Sequence, residues 1–250
     1  MRPRGIHHAK QGLMRDPAGE VNLEFDGILF DVDGILINSN DAHAEAWTQA
    51  LNEHHVVVDL QTVRRLIGMG GDKLLPAVAR VTEESPEGKA IGARKKELFA
   101  ARLPSLRQTR GASALLDYLR STGVEMAIAS SADDGEIVQL LAQAGIDQFF
   151  PEKASKEDAA ASKPDPGVVE AAIAKVKTPR DRLVMIGDTP YDVEAASRAG
   201  PRTIALRCGG YWSDADLAAA SRIDDDPEAL LASLQAADVS LKGPPPRGRR

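Results

Sequence analysis

The chain has 250 residues, 43% of them hydrophobic, and a net charge of −6 at pH 7, enough apolar material for one large or two small domains. Much of its positive charge lies at the two ends, residues 1–20 and 242–250. Without them, 23 basic and 35 acidic side chains remain, a net charge of −12. So acidic a body argues against a nucleic-acid-binding surface, and we expect no nucleic-acid partner.

Three further features predict a cytoplasmic protein without a membrane partner. No apolar run approaches the ~20 residues that a membrane-spanning helix needs. The first residues, MRPRGIHHAKQGLMRD, contain no apolar stretch typical of a secretory signal. The only cysteine, Cys208, precludes an internal disulfide, which fits a reducing compartment.

The predicted elements begin with a buried strand and continue with helices alone. Residues 27–32, GILFDV, form an apolar run of strand length. Helical spacing of apolar residues follows, with no β-rich run between the segments. The predicted helical segments are residues 40–55, 59–67, 70–81 and 85–103.

After residue 110 strands and helices alternate, which predicts βαβ units and a parallel sheet. The predicted strands are residues 124–130, 182–188, 202–206 and 222–225, and the predicted helices are residues 111–123, 135–145, 165–176, 190–200 and 227–235. The block of helices is too long for a plain loop, so we interpret it as a helical domain inserted into an α/β domain.

Domain boundaries follow from this interpretation. The α/β core is predicted over residues 21–40 and 108–241, and the helical domain over residues 41–107. The basic ends, residues 1–20 and 242–250, are predicted to be disordered tails because of their charge and their Pro and Gly content.

Charged and hydroxyl side chains collect at the predicted strand ends. Ligands of open parallel sheets bind outside the carboxyl ends of the strands, so these side chains are candidates for a functional site. They are Asp31 and Asp33 at the end of the first strand, Ser130 and Ser131 at the end of the second, Asp188 at the end of the third with Asp192 four positions on, and Lys163 in the segment between the second and third.

Four motifs around these residues, DVDGI, MAIAS, SKPDP and GDTPYD, occur in this order. Together they resemble the motifs of the haloacid dehalogenase-like hydrolase superfamily, in its phosphatase and β-phosphoglucomutase-like branch, over residues from about 25 to 240. The resemblance implies a Rossmann-like parallel sheet core with an inserted all-helical cap domain. The sequence leaves a monomer and a homodimer both open.

The resemblance also implies roles for the motif residues. Asp31 is the expected nucleophile, which forms an aspartyl-phosphate, and Asp33 the expected general acid and base. Ser130, Ser131 and Lys163 are expected to bind the phosphoryl group. The expected cofactor is Mg²⁺, a hard cation that prefers oxygen ligands. Its implied ligands are the Asp31 carboxylate, the Asp33 backbone carbonyl and Asp188, with Asp192 behind them or acting through water.

Further substrate contacts are expected from the helical domain. His43 falls where some sugar-phosphate relatives have a histidine near the substrate, and it could equally pack between helices. The stretch RRLIGMGGDKL, residues 64–74, is glycine-rich and could reach the substrate through Arg65, Gly68 or Lys73. A plain helix–helix connection is the alternative.

The predicted function is Mg²⁺-dependent hydrolysis of a small phosphorylated metabolite, a phosphate monoester. A phosphomutase of the β-phosphoglucomutase kind would share the whole constellation. A non-catalytic phosphometabolite-binding protein is the alternative from another class. The sequence departs from the superfamily pattern at two positions. Ile35 replaces the usual Thr, and Asn38 stands where many relatives have Asp.

Overall fold

The structure is a computed structural model that describes residues 25–241, so both predicted tails lie outside the described residues. Its sheet has six parallel strands in the order β3-β2-β1-β4-β5-β6. The strands are β1 Gly27–Phe30, β2 Glu125–Ala129, β3 Lys153–Ala154, β4 Leu183–Gly187, β5 Arg202–Leu206 and β6 Arg222–Asp224. The predicted α/β fold is therefore confirmed, with β3 as a strand that the sequence did not predict.

The helices fall into two groups along the chain. Between β1 and β2 lie α1 Asn40–Glu53, α2 Leu60–Arg64, α3 Gly71–Val78, α4 Pro86–Arg102 and α5 Ala112–Thr122. The strands that follow are connected or flanked by α6 Asp134–Ala144, α7 Gly167–Ala174, α8 Pro190–Ala199 and α9 Pro227–Leu241. We call α1–α4 and their connections, residues 40–102, the helical insert. Across residues 25–241, the helices lack the length and apolar character needed to cross a membrane.

Local sequence signals explain where several helices begin and end. The Ser85 side chain accepts a hydrogen bond from Gly88 N at the start of α4, and Pro86 occupies the first turn, where its missing N–H costs nothing. Helices α5 and α6 end at Gly123 and Gly145, whose φ angles of +79° and +67° are left-handed. Glycine adopts this conformation without the steric penalty of a side chain.

The sheet is buried on both faces, as its continuously apolar strands require. In β1, Ile28 and Phe30 pack into one core, which α5, α6, α9 and part of the helical insert share, whereas Leu29 points into a second core against α7 and α8. Each large side chain buried in this way stabilises the fold by about 1.5–3 kcal/mol.

The strand order brings the carboxyl ends of β1, β2 and β4 together. Strand β1 lies between β2 and β4, with Phe30 in register with both Ile128 and Ile186. The carboxyl ends of all three strands therefore meet at one edge of the sheet. Because β1 connects forward to β2 on one side and pairs with β4 on the other, this edge is the switch point at which α/β proteins bind ligands.

Candidate active site

Asp31 follows β1 directly and is only 3% exposed. Its backbone N–H donates to Ile186 O at 2.9 Å, which extends the sheet hydrogen bonding by one residue and fixes the position of its side chain. The Lys163 ammonium donates to Asp31 Oδ1 at 2.8 Å and to Asp192 Oδ1 at 2.7 Å. Lys163 is completely buried, so these contacts form away from solvent and hold both carboxylates.

Asp188 follows β4 and lies beside this group, 2% exposed. Its Oδ2 accepts a hydrogen bond from Asn40 Nδ2 at 2.7 Å, while its buried Oδ1 finds no hydrogen-bond partner among the described residues. Two glycines crowd it, because a Cβ on Gly34 or Gly209 would lie 2.4 or 1.7 Å from Asp188 Oδ2. The loops thus close tightly around Asp188 and leave one oxygen free for a ligand.

The carboxylates are close enough together to affect each other's ionisation. Ligand oxygens of Asp31, Asp188 and Asp192 lie within 4.8 Å of one another. Burial, opposed by Lys163 and reinforced by the charges of Asp192 and Asp33, raises the pKa of Asp31 to about 7. Burial and the charges of Asp192 and Asp31 raise the pKa of Asp188 well above its ordinary value.

This donor set fits a hard divalent cation. Buried like charges repel strongly, and a cation bound among them would remove that cost. All the available donors are oxygens, which Mg²⁺ and Ca²⁺ prefer. The unpartnered Oδ1 of Asp188 is the kind of orphaned buried acceptor that a metal ion satisfies. Asp31 and Asp188 could therefore hold a metal ion.

Asp192 differs from the other two carboxylates because both of its oxygens already have partners. Its Oδ1 accepts from Lys163, and its Oδ2 accepts from the Thr189 backbone N–H at 3.1 Å and the Thr189 hydroxyl at 2.7 Å. The Thr189 hydroxyl accepts from Asp192 N in return, a capping box that starts α8. The side chain is thus placed to hold Lys163 and the helix start.

Asp33 is turned toward the helical insert. It accepts hydrogen bonds from the Ser39 hydroxyl and pairs with His43 Nε2 at 2.8 Å. His43 stacks on the Phe99 ring, with 3.9 Å between ring centres. Burial raises the pKa of the Asp33 carboxyl, but the charge and hydrogen bond of His43 and the bond from Ser39 outweigh burial and lower it to about 2. Asp33 is therefore ionised in this arrangement.

The two serines at the end of β2 border the same cavity as Asp31 and Asp33. Ser130 is 1% exposed, and its hydroxyl accepts from Ala132 N at 3.1 Å. The Ser131 hydroxyl accepts from Lys163 N at 3.3 Å. The Ser130 hydroxyl, which accepts one bond here, keeps its own proton for a donor contact to a ligand oxygen in the cavity.

The expected contacts from the helical insert divide into two groups. His43 and Gly68 line the cavity. Lys73 does not line it but forms an ion pair with Asp165 at 2.6 Å. Arg65 also lies away from it, with its guanidinium 6.0 Å from the centre of the Trp212 ring. The structure therefore does not bring Arg65 and Lys73 to the cavity, because each has a partner elsewhere on the core.

The two departures from the superfamily pattern have different settings. Ile35 is completely buried in the main core, and the adjacent Gly34 carbonyl accepts from the Thr109 hydroxyl and the Cys208 thiol, each at 3.2 Å. The loop after β1 is therefore fastened without a hydroxyl at Ile35. Asn38 is exposed and lies outside the cavity lining.

Several cavity residues carried no clear signal in the sequence. They are Trp47, Glu83, Lys95, Lys96, Asp133, Glu136 and Lys156. Asp133 and Glu136 could have been found, because they follow a strand end by only a few residues. Glu83 lies in a turn and Lys156 begins a short 3₁₀ helix, and only the tertiary fold brings them to the cavity.

Comparison with known proteins agrees with this geometry. A family model described as haloacid dehalogenase-like hydrolase matches residues 28–206. The chain is 23% identical over 179 residues to the phosphorylated carbohydrates phosphatase of Thermotoga maritima, covering 70% of this chain and 82% of that protein. It is 26% identical over 191 residues to the phosphoglycolate phosphatase of Rhodospirillum rubrum, covering 73% and 79%. The crystal structure of a hydrolase from Pseudomonas syringae superposes with a TM-score of 0.78 at 27% identity, covering 84% of this chain and 98% of that one.

Proposed function

The chain belongs to the haloacid dehalogenase-like hydrolases, and we propose that it is a Mg²⁺-dependent phosphatase that hydrolyses a small phosphate monoester through an aspartyl-phosphate on Asp31. The observation that carries the proposal is the buried contact of Lys163 with Asp31 at 2.8 Å, beside the free Oδ1 of Asp188. A carboxylate nucleophile and an anionic phosphoryl group repel each other. The positive charges of Lys163 and of a metal ion beside Asp31 would reduce that repulsion.

In the first step an oxygen of Asp31 attacks phosphorus and the ester P–O bond breaks. The departing alkoxide takes a proton from Asp33, and the phosphoryl group stays on Asp31. Lys163 and the Ser130 hydroxyl stabilise the charge that builds on the phosphoryl oxygens. Phosphate monoesters carry negative charge of their own, so this stabilisation matters most as the nucleophile approaches.

In the second step water attacks the same phosphorus and gives its proton to Asp33. The Asp31 carboxylate leaves, inorganic phosphate forms, and Asp33 again carries the proton that it donates in the next cycle. Without substrate, His43 and Ser39 hold Asp33 ionised. A bound phosphate ester puts negative charge beside Asp33, which raises its pKa and favours the protonated form that the first step requires.

The metal ion would be held by the carboxylates of Asp31 and Asp188 and by the backbone carbonyl of Asp33. When bound, Mg²⁺ neutralises the charge of these groups and of the phosphoryl oxygens. Asp192, whose oxygens accept from Lys163 and Thr189, acts through Lys163, which it holds in place.

The predicted helical domain, residues 41–107, which contains all of the helical insert except Asn40, is proposed to act as a cap. Its side chains form one wall of the cavity, and the core supplies the other. Such a cover excludes water from the reacting groups and contacts the part of the substrate that does not react. The substrate is then a small phosphorylated metabolite that fits between cap and core.

The test is a screen of phosphorylated metabolites with purified protein, with and without Mg²⁺, that measures inorganic phosphate. We expect Mg²⁺-dependent release from at least one ester. A phosphomutase would instead convert a hexose 1-phosphate without releasing phosphate, and a binding protein would bind esters without changing them. Either result would contradict the proposal.

A further inference from the structure

The cavity is also lined by six charged side chains that the proposed reaction does not use. We call them the outer wall. They are Glu83, Lys95, Lys96, Asp133, Glu136 and Lys156. Three belong to the helical insert and three to the core, so the outer wall forms where the two meet.

These six side chains form three ion pairs, each between the insert and the core. The pairs are Lys95 Nζ with Glu136 Oε2 at 2.8 Å, Lys96 Nζ with Asp133 Oδ2 at 2.6 Å, and Lys156 Nζ with Glu83 Oε1 at 2.9 Å. Each ammonium group is thus neutralised at contact distance. The outer wall carries many charges but no net charge, unlike a site built to bind a second anionic group.

The pair of Lys95 and Glu136 is the most deeply buried of the three. The two side chains are 9% and 11% exposed. Lys95 Nζ also lies 4.8 Å from the centre of the Phe99 ring and 5.8 Å from that of Trp47. Separating such a pair leaves a buried charge without a partner, which is costly. A ligand therefore meets the pair as a unit and does not easily take Lys95 away from Glu136.

The charges of the outer wall point to a substrate class. We propose, resting on the phosphatase function above, that the non-reacting part of the substrate is uncharged and rich in hydroxyl groups, as in a polyol or sugar monophosphate, and that a second anionic group is selected against. Each ion pair would bind a hydroxyl or a pair of adjacent hydroxyls.

Hydroxyl groups suit such pairs because they both donate and accept hydrogen bonds. The ammonium of Lys95 still has donors to give, and the carboxylate of Glu136 still has lone pairs to accept with. A diol satisfies both at once. A substrate carboxylate or second phosphate can only accept, so it gives no hydrogen bond to Glu83, Asp133 or Glu136, and a wall without net charge does not offset the loss of the anion's hydration.

Matched substrates isolate this effect. Glycerol 3-phosphate and 3-phosphoglycerate differ in having –CH₂OH or –COO⁻ at the end remote from phosphorus, and 2-hydroxyethyl phosphate and 2-phosphoglycolate form a second such pair. We expect kcat/KM of the full-length protein with Mg²⁺ to be at least about tenfold higher for the hydroxylated member of each pair. p-Nitrophenyl phosphate serves as an ester without either group.

A variant of the outer wall should weaken the preference if the outer wall causes it. Glu136→Gln keeps the shape of the side chain but removes the negative charge that neutralises the Lys95 ammonium group. We expect the ratio of kcat/KM for 3-phosphoglycerate to that for glycerol 3-phosphate to rise at least about fivefold. Glu97→Gln on the same helix α4 is the control, because Glu97 pairs with Arg94 outside the cavity, and its ratio should equal that of the natural protein. Glu83→Gln provides a second test if Glu136→Gln fails to fold.

The outcomes separate this inference from the function on which it rests. Failure to hydrolyse p-nitrophenyl phosphate or any other ester overturns both. Hydrolysis of p-nitrophenyl phosphate with equal or higher kcat/KM for the carboxylated members, or with no turnover of the hydroxylated ones, overturns the substrate class alone. A ratio that is unchanged in a folded Glu136→Gln or Glu83→Gln protein also overturns it.

Discussion

The ammonium group of Lys163 donates a 2.8 Å hydrogen bond to Asp31 Oδ1, although the two residues lie 132 positions apart in the chain. Because Lys163 is completely buried and also bonds Asp192, it is the positive charge in direct contact with two of the crowded carboxylates. The contact links the stability of the fold to the chemistry of the site.

Lys163→Met should therefore lower both activity and stability. Without the ammonium group, Asp31 and Asp192 lose their buried ion pair and Asp192 keeps only its bonds from Thr189. Breaking such a pair costs about 3–5 kcal/mol, and kcat/KM should fall at least about 100-fold. Phosphate release and denaturant unfolding measure the two effects. Lys175→Met is the control, because Lys175 pairs with Asp158 near the surface and should cost no more than about 1 kcal/mol. Equal losses in both variants would contradict the role of Lys163.

Removal of divalent cations should abolish activity. EDTA should stop phosphate release, and Mg²⁺ should restore it. The reason is that the bound cation reduces the electrostatic repulsion between the carboxylates of Asp31 and Asp188 and the phosphoryl group. Ca²⁺ should inhibit, since its larger and more flexible coordination shell misplaces the nucleophile. Mg²⁺ should also stabilise the protein against unfolding, by about 2.7 kcal/mol at a concentration of 100 Kd. Full activity in metal-stripped protein would refute this prediction.

Gly209→Ala should weaken the metal site without replacing a ligand residue. A Cβ at Gly209 would lie 1.7 Å from Asp188 Oδ2, so either the carboxylate or the turn must move. We expect the Mg²⁺ concentration for half-maximal activity to rise at least about tenfold, the scale seen when groups that orient metal ligands are changed.

Gly135→Ala is the matched control for this change. Its Cβ would meet only Asp133 Oδ1, at 3.5 Å, an ordinary contact. Its Mg²⁺ dependence should therefore be that of the natural protein. An unaltered Mg²⁺ requirement in Gly209→Ala would mean that Asp188 is not a metal ligand.

The sequence predicted the parallel sheet and the convergence of the motif residues because both depend on local patterns. Apolar runs mark strands, and residues after parallel strands meet at one edge, so Asp31, Ser130 and Asp188 could be placed together. The two-residue strand β3 is too short for a pattern.

Side-chain partners were harder to predict because they depend on packing between distant segments. Arg65 and Lys73 lie in the expected loop but find partners on the core at Trp212 and Asp165. The ion pairs of the outer wall join residues tens of positions apart, such as Lys95 and Glu136. No periodicity within either segment specifies such a pair.

Ile35→Thr separates an active enzyme from one that has lost turnover. The loop is held by the hydroxyl of Thr109 on the Gly34 carbonyl, so a hydroxyl at position 35 adds at most one neutral hydrogen bond, about 0.5–1.5 kcal/mol. We expect kcat/KM to change by no more than about tenfold. Because Ile35 is fully buried in apolar surroundings, the variant should unfold more easily, by about 1–3 kcal/mol. A natural protein without turnover that gains strong activity from this change would favour the binding-protein alternative.

The central claim is that Asp31 is the nucleophile, and the most direct measurement compares phosphate release by the natural protein and Asp31→Asn with Mg²⁺ and one accepted ester. The amide has the same shape but cannot form an acyl-phosphate. We predict at least about a 1,000-fold loss of kcat in a variant whose circular dichroism spectrum matches that of the natural protein. Activity of folded Asp31→Asn within about tenfold of the natural protein would contradict the account.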